Sequence, residues 1–164
     1  GEAFVNDHCV ILGNVNVNSP LVWDGTMTRS LRAYARANQA AVVVPFILGG
    51  AMGPVTNAGG IVQSLAETMA GCALTQLERK GAPVIFGNFL SSMSLRSGSP
   101  TFGTPEPAIG SQVIGQLARR LNLPLRCSGN FTTSKLPDGQ AMMEGTMSML
   151  AAVQAPIILM SQNR

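Results

Sequence analysis

The feature that most constrains the fold is an alternation of short apolar runs with longer helical patterns. Five apolar runs recur along the 164 residues, and an amphipathic stretch separates each run from the next. These predicted strands are His8 to Val15, Ala40 to Leu48, Pro83 to Phe89, Leu123 to Cys127 and Pro156 to Met160. Such an alternation predicts a parallel sheet whose strands are joined by right-handed helical crossovers.

Helix-start signals lie between the predicted strands. Asp24 or Thr26 is placed to cap the first helix, and Thr56 to begin a long second one. Thr104 precedes a proline at the first helical position of the third. A methionine-rich fourth helix is predicted from Pro137 to Val153.

The loops that leave the predicted strands are longer and more polar than those that return from the helices. Ligands of α/β folds bind at the carboxyl ends of the strands, where these loops lie. We therefore expect four loops to crowd together on one face and to hold a small ligand. They are Asn14 to Leu21, Pro45 to Thr56, Gly87 to Glu106 and Leu125 to Gln140.

Two architectures fit this local pattern. One is a complete five-stranded doubly wound parallel sheet, which 164 residues would fill. The other is about half of a (β/α)8 TIM barrel, which normally needs about 250 residues. In the second case residues 1–164 are part of one barrel domain, and we expect the chain to be a fragment of a longer protein.

Composition excludes some function classes. With 46% hydrophobic and 12% charged residues, the chain suits buried parallel strands covered by helices. The 11 basic residues are scattered without a stripe of interleaved aromatic residues, so we expect no nucleic-acid surface. No apolar run is long enough for a membrane span, and no secretory leader pattern begins the chain.

The cysteines and the single histidine do not form the pattern of a disulfide framework, a catalytic triad or a metal site. Cys9, Cys72 and Cys127 are odd in number and far apart, which predicts reduced core thiols in a cytoplasmic protein. His8 lies at the start of a predicted strand, at the end away from the polar loops, so we expect a structural role. A Ser-His-Asp triad or a histidine-based metal site is therefore not expected.

The glycine-rich stretch GGAMGPVTNAGG follows a predicted strand and precedes a helix. It lacks the G-x-G-x-x-G pattern because Leu48 occupies the place of the first glycine, and it contains no G-K-[ST]. The pattern favours a tight turn, with a small anion at the Thr56 helix start as the alternative.

Aromatic and neutral polar residues dominate the predicted loop face. Four phenylalanines fall at strand ends: Phe46, Phe89, Phe102 and Phe131. Aromatic ring faces beside neutral polar groups are what a quaternary ammonium group needs. The alternative is that the four rings only complete the core. Similarly, Lys135 can face the site or pair with Asp138.

Four segments together resemble one known family. They are NVNVNSPLVWD, PFILGGAMGPVTNAGG, GAPVIFGNFLSSMSLRSGSPTFGTPE and GQLARRLNLPLRCSGNFTTSKLPDGQA. In order and spacing they are similar to the trimethylamine methyltransferase family, the corrinoid-dependent methylamine and betaine methyltransferases. The resemblance runs across nearly the whole chain and implies a (β/α)8 barrel, of which this chain would be a central part.

The resemblance implies transfer of a methyl group from a tertiary or quaternary amine to the cobalt of a separate corrinoid protein. The corrinoid would be carried by that partner, with no cofactor bound directly. One branch of the family uses pyrrolysine near the motif that matches SGNFTTSK; this chain has only standard residues. It therefore resembles the non-pyrrolysine branch, whose substrates are glycine betaine or similar quaternary amines. Where many relatives read T-D-S-K, this chain has Thr133 in place of the aspartate.

The resemblance and the loop residues together give a site hypothesis. The four phenylalanines would shield the ammonium group, and Lys135 or Arg96 would meet a substrate carboxylate. Neutral polar residues would orient the remainder of the substrate: Asn18, Asn88, Ser128 and Thr133. We also expect a homo-oligomer. The alternatives are a barrel protein that binds quaternary amines without catalysis, and a doubly wound domain that binds a phosphate ligand.

Overall fold

The computed structural model describes residues 1–155 and 159–162 and shows an α/β fold with a mixed sheet. The helices are α1 (Glu2–Asp7), α2 (Gly25–Arg36), α3 (Asn57–Glu78), α4 (Pro105–Arg120) and α5 (Gly139–Gln154). The strands are β1 (Leu12–Val17), β2 (Ala40–Gly49), β3 (Val84–Gly87), β4 (Phe89–Met93), β5 (Pro100–Thr101), β6 (Leu125–Gly129) and β7 (Leu159–Gln162). Residues 156–158 of the predicted fifth strand lie outside the described residues.

The parallel strands follow one another across the sheet in chain order. β1 pairs with β2, β2 with β3, β3 with β6, and β6 with β7, each in parallel. A doubly wound sheet reverses its strand order at a switch point, and the described strands show no reversal. The doubly wound alternative is therefore wrong for this part of the chain. The phosphate-ligand hypothesis assumed a doubly wound domain, so the observed strand order does not support it.

The helices form a single layer on one face of the sheet. α2 contacts α3, α3 contacts α4, and α4 contacts α5, while each also contacts the strands beside it. The largest cluster of buried apolar side chains lies between this layer and the sheet, around Phe86, Ile47 and Ile114. A smaller cluster on the strands contains Val42, Val44 and Ile85, with Phe89 packed against it.

The third strand is interrupted at Asn88 and then continues. β4 pairs with the second half of β2, from Phe46 opposite Phe89 to Gly49 opposite Ser92, and then turns into an antiparallel hairpin with β5. The sequence predicted a loop from Leu90 onward. That prediction was wrong for β4 because the polar SSM sequence carries no apolar signal, and main-chain pairing with β2 holds the strand instead.

Pro45 lies inside β2, which continues beyond it to Gly49. It pairs in register with Val17, the last residue of β1, and it lies in the gap between the β3 and β4 pairings. Proline lacks the amide hydrogen that a sheet ladder uses, so it is tolerated where the neighbouring ladders are interrupted. The strand then resumes and carries Phe46 to the edge of the loop face.

The first predicted strand begins later than expected, and its lead-in is a short helix. His8 caps α1 at its C-terminal end, its ring Nδ1 donates a hydrogen bond to the Phe4 carbonyl, and its ring stacks on that of Phe4. It is exposed and lies outside β1. Cys9 is exposed as well, so the predicted core position is wrong for this thiol, while Cys72 and Cys127 are buried. In the described part of the chain, we found no helix with both the length and the apolarity that a membrane crossing requires.

Candidate functional site

The four phenylalanines that the sequence placed at strand ends form one cluster. Phe46 stacks on Phe89 with ring centroids 4.5 Å apart, and Phe102 stacks on Phe131 at 5.3 Å. Phe89 joins the two pairs by edge-to-face contacts of 5.9 Å with Phe102 and 6.2 Å with Phe131. All four side chains are partly exposed. The rings pack on one another, and their remaining surface is open at the carboxyl ends of the strands.

Different elements deliver these rings to one place. Phe46 is carried by β2 and Phe89 by β4, and the two are directly opposite in the parallel ladder. Phe102 follows β5, so the antiparallel hairpin turns it back over the cluster. Phe131 follows β6, and its backbone amide donates a hydrogen bond to the Ser148 hydroxyl of α5 at 2.9 Å.

A small cavity lies beside the cluster. It measures about 20 Å3 and is lined in part by the predicted site residues Asn88, Phe89, Phe102, Ser128 and Phe131. A cavity of this size has room for about one water molecule. A methylated amine is larger than a water molecule, so its binding requires this cavity to widen.

Asn88 occupies the break between β3 and β4, and its side chain points toward α4. It is 4% exposed, and its amide nitrogen donates to the Ser111 hydroxyl at 3.1 Å. Its amide oxygen has no hydrogen-bond partner. Buried polar atoms are nearly always paired, so this unpaired oxygen, on a residue that lines the cavity, is an exception to the rule.

Glu144 is a buried residue beside the loop after β6 that the sequence analysis missed. This carboxylate on α5 is 6% exposed and accepts a hydrogen bond from the Thr133 backbone amide at 2.7 Å and from the Gln140 side chain at 2.8 Å. The hydroxyls of Thr132 and Thr133 donate to it as well. These donors, the Thr133 amide first and the Gln140 side chain second, lower the pKa of Glu144 to about 2.

The Glu144 carboxylate therefore stays ionised and fixes the loop after β6. The loop after β6 contains no carboxylate of its own before Asp138, and Glu144 reaches it from α5. Its only sequence signal is a charged residue one turn after Gln140 in an otherwise methionine-rich helix. Since the Thr133 hydroxyl donates to Glu144, Thr133 has no hydrogen left to donate to a substrate.

A second buried carboxylate fixes the loop after β1. Glu67 of α3 is 2% exposed and accepts hydrogen bonds from the Ser19 hydroxyl at 2.6 Å and the Leu21 amide at 2.7 Å. Gln63 donates to the same carboxylate at 2.9 Å. Two of the four predicted loops are thus each held by a glutamate from a helix that packs behind them.

The remaining predicted site residues lie further from the cavity. Asn18 is exposed at the end of β1 and forms an isolated antiparallel bridge with Val22. Arg96 is exposed in the turn between β4 and β5, and Lys135 is exposed in the loop after β6. Asp138 accepts the Ala141 amide as the cap of α5, and no ion pair joins it to Lys135 among the described residues.

A cation that the sequence analysis did not single out lies on β6. Arg126 alternates with the buried Leu125 and Cys127, so it shares the opposite face of the strand with Ser128. Burial lowers the pKa of Arg126, although a guanidinium remains charged in proteins. It offers a partly buried positive charge, whereas Arg96 and Lys135 are exposed.

The glycine-rich loop after β2 behaves as a turn. Gly50 adopts a φ of 89°, and the Thr56 hydroxyl accepts the Gly59 amide as the cap of α3 at 3.2 Å. Among residues 1–155 and 159–162, no group of three or more His, Cys, Asp or Glu side chains is placed to hold a metal ion. Among the described residues at the strand ends, the aromatic cluster and its cavity combine a pocket with an unpaired polar atom.

The chain is similar in sequence to known methyltransferases. Residues 1–162 match the family model described as trimethylamine methyltransferase (MTTB). A glycine betaine methyltransferase of Desulfitobacterium hafniense strain Y51 is 36% identical over 152 residues, which cover 93% of this chain and 32% of that protein. A trimethylamine methyltransferase MttB of another strain of the same species is 29% identical over 148 residues, covering 90% and 30%.

A trimethylamine methyltransferase MttB of Methanosarcina barkeri is 34% identical over 108 residues, covering 66% of this chain and 22% of that protein. The chain thus spans about a third or less of the length of these relatives. Because the family model covers nearly all of the chain, the chain belongs to the trimethylamine methyltransferase family.

Proposed function

We propose that the protein transfers a methyl group from a methylated amine to the cobalt of a separate corrinoid protein. The single observation that carries the proposal is the cluster of four phenylalanines at the strand ends, in a chain of this family. Aromatic faces attract alkylammonium groups through their quadrupoles, and they exclude water at the same time.

The proposal includes a (β/α)8 barrel formed by the longer protein. Two observations support it: the parallel strands lie in chain order, and the helices form one layer on one face. Both are properties of a barrel segment. The carboxyl ends of the strands would then form the barrel mouth, with the aromatic cluster beneath it.

The residues of this chain would bind and orient the amine. The ring faces would hold the ammonium group, and the two glutamates would keep the loops after β1 and β6 in place. A quaternary or protonated amine leaves as a neutral amine, so positioning matters more than general acid catalysis. The partner's corrinoid would supply the cobalt nucleophile that accepts the methyl group; the loops at the mouth would face it.

The substrate class in this proposal is taken from the names of the relatives. The relatives are named for glycine betaine and for trimethylamine, and we propose a methylated amine of one of these two kinds. For a betaine, Arg126, Arg96 and Lys135 are the candidate partners of the carboxylate. Arg126 is favoured because it is the one on the strand that carries Ser128.

Catalysis is tested with the full-length protein, a reduced corrinoid protein and a panel of methylated amines. We expect the absorbance spectrum of the corrinoid protein to change to that of its methylated form with at least one amine. A protein that binds quaternary amines without catalysis would bind the amine and leave the spectrum unchanged.

Binding is tested separately by calorimetry with Phe131→Ala. We expect the variant to bind glycine betaine or trimethylamine at least about tenfold more weakly, because an aromatic–cation contact is lost. Phe4→Ala is the matched control, since Phe4 is exposed on α1 and contacts His8. Equal binding by wild type and Phe131→Ala would remove the role of that ring.

A further inference from the structure

The outer side of the helix layer changes character between α2 and α3. On α2 the exposed side chains include an arginine in each turn, at Arg29, Arg32 and Arg36. In α3, which is 22 residues long, the only charged side chain before Glu78 is the buried Glu67. α4 carries charges only in its first and last turns. Helices that face water are normally polar on their outer side, so α3 and α4 indicate contact with something other than water.

Large apolar side chains occupy this uncharged surface. On α3, Val62 is 67% exposed, Met69 41% and Leu77 85%, and on α4 Ile109 is 47% exposed. The exposed Ala66 lies between Val62 and Met69 on the same side of α3. We call these five residues the neutral face. Exposed apolar residues that recur along one helix face, without charges between them, mark an interaction surface.

The barrel of the proposed function does not cover the neutral face. α3 contacts α2 on one side and α4 on the other, so both of its barrel neighbours are already in place. The inner side of α3 packs on the sheet through residues such as Ile61. Helices that complete a barrel would lie beside α2 and α5 instead. The outer side of α3 is therefore open to a partner from outside the barrel.

The chemistry of the neutral face suits a second copy of itself. A two-fold interface brings the same patch of both subunits together, and an uncharged apolar patch is complementary to itself. A charged partner would find no opposite charge on it. Helices that lie on membrane surfaces carry Lys or Arg beside their apolar residues, and α3 has neither among Asn57–Glu78.

The charges at the ends of α4 favour an antiparallel arrangement of two copies. Glu106 lies in the first turn of α4, and Arg119 and Arg120 lie in its last turn. When the helices of one copy run antiparallel to those of the other, each carboxylate end of α4 faces a guanidinium end. A parallel arrangement would bring like charges together, which is unfavourable across an interface.

The size of the surface fits a stable dimer. With a rise of about 1.5 Å per residue, α3 is about 33 Å long and α4 about 24 Å, and each is about 10 Å wide. Their outer sides together give a footprint on the order of 600 Å2. Each partner in a stable interface buries about 600 to 1,000 Å2, so these two helices reach the lower end of that range.

We propose that the neutral face is a homodimer interface, in which α3 of each copy packs antiparallel on α3 of the other across a two-fold axis near Ala66. Val62 and Met69 would pack around the axis, and Ile109 would extend the contact onto α4. The interface lies on the outer side of the helices and leaves the strand ends open. It does not depend on the methyl transfer of the proposed function.

The first test is analytical ultracentrifugation of the full-length protein at micromolar concentration. We expect wild type to form a dimer, or a larger assembly with an even number of copies. Ala66→Glu should raise the dissociation constant of the dimer at least about hundredfold, because each dimer would bury two like charges. Ala33→Glu is the matched control, since Ala33 is an exposed alanine on α2, and it should leave the dissociation constant unchanged. Circular dichroism checks that both variants are folded.

The second test measures the orientation by cross-linking with a short bismaleimide. The parent is full-length Cys9→Ser, because Cys9 is exposed while Cys72 and Cys127 are buried. Compared with this parent, we expect added Ala66→Cys to cross-link two copies and added Leu77→Cys not to do so. Leu77 lies about three turns from Ala66, so antiparallel copies place the two Leu77 positions about 33 Å apart.

Four results would overturn the inference. Wild type could be a monomer, which would leave the neutral face to another part of the longer protein. A folded Ala66→Glu could dimerise like wild type, or, where that variant does not fold, Ala66→Cys could fail to cross-link. Cross-linking of Leu77→Cys as strong as that of Ala66→Cys would overturn the antiparallel arrangement. None of these results changes the proposed methyl transfer, which the spectrum of the corrinoid protein tests separately.

Discussion

At the scale of single residues, two buried glutamates on helices hold the loops after β1 and β6 by accepting hydrogen bonds from them. The resemblance led us to expect an aspartate at Thr133, and Glu144 supplies a carboxylate to that loop from α5. It holds both threonine hydroxyls and the Thr133 amide. Gly103 makes this possible, because a Cβ there would collide with the Glu144 carboxylate.

The depressed pKa of Glu144 predicts a specific pH dependence of stability. The folded-state pKa is about 2, below the ordinary value for an unfolded chain, so its contribution is present above about pH 4 and is lost as pH falls toward 2. We expect Glu144→Gln to lower the free energy of unfolding more at pH 7 than at pH 3, measured by urea denaturation of the full-length protein. Glu2→Gln, on the exposed surface of α1, should show no such difference. A Glu144→Gln effect that is equal at both pH values would contradict the prediction.

The three thiols should differ sharply in reactivity. Burial raises the pKa of Cys127 to about 11 and also raises the pKa of Cys72, so both remain protonated thiols at neutral pH. Cys9 is exposed. We expect iodoacetamide to label Cys9 in the native protein, and to label the other two only after unfolding, as read by peptide mass mapping. Rapid native labelling of Cys127 would show that β6 is less well packed than described.

At the scale of elements, one glutamine connects α1 to the sheet. Gln39 is 1% exposed; its amide oxygen accepts the backbone amides of Val10 and Ile11, and its amide nitrogen donates to backbone carbonyls that include Val5. The short lead-in helix has no buried residues of its own. Its attachment therefore depends on this side chain more than on apolar packing.

Removing the buried Gln39 side chain should lower the free energy of unfolding more than removing the side chain of an exposed glutamine. We expect Gln39→Ala to lower the free energy of unfolding of the full-length protein by about 2 kcal/mol, because several backbone groups lose their partner. Hydrogen exchange should increase at Val10 and Ile11. Gln112→Ala, an exposed glutamine, should change stability by less than about 0.5 kcal/mol. An unchanged exchange rate at both amides would show that α1 is held by other contacts.

The break between β3 and β4 depends on a close approach of backbone. A Cβ at Gly87 would lie 2.9 Å from the Val43 carbonyl oxygen and would also collide with the Val44 side chain. We expect Gly87→Ala to destabilise the full-length protein by about 1 to 3 kcal/mol in thermal denaturation. Gly139→Ala is the matched control, since nothing lies within 4 Å of its Cβ position, and it should be neutral or slightly stabilising. If both substitutions changed the stability equally, the backbone around Gly87 would be able to shift and make room for a Cβ, and the prediction would be wrong.

At the scale of the whole molecule, the described sheet has open edges. β1 pairs only with β2 and β7 only with β6 among the described strands. The face of β1 opposite the helices also carries Leu12, which is 49% exposed, with Asn14 and Asn16. Unpaired parallel edges and exposed apolar strand residues promote association with other chains.

This arrangement predicts the behaviour of the 164-residue segment when it is produced by itself. We expect it to be oligomeric or poorly soluble, because the strands that would complete a barrel are not there to cover these edges. Analytical sedimentation and thermal melting are the measurements. A stable monomer with a cooperative transition would count strongly against the half-barrel interpretation and in favour of a self-contained sheet.

The sequence by itself determined the features that depend on neighbours within a few positions. The alternation of strands and helices was readable from periodicity, as were the caps at Asp24 and Thr56, which accept backbone amides three residues on. The same periodicity placed four phenylalanines at strand ends, and their mutual contact follows from the parallel sheet.

Only the tertiary structure decided how distant positions combine. The Ser19–Glu67 hydrogen bond joins residues 48 positions apart, and the Asn88–Ser111 bond joins residues 23 apart. Strand order, the extra pairing of β4 and the unpaired oxygen of Asn88 belong to the same class. Local propensity carries no information about them. The hydrogen-bond partner of a buried polar group is a group that the tertiary packing places within about 3 Å of it. The residues that line the candidate site were therefore visible as residue types in the sequence, but their hydrogen-bond partners were set by the fold.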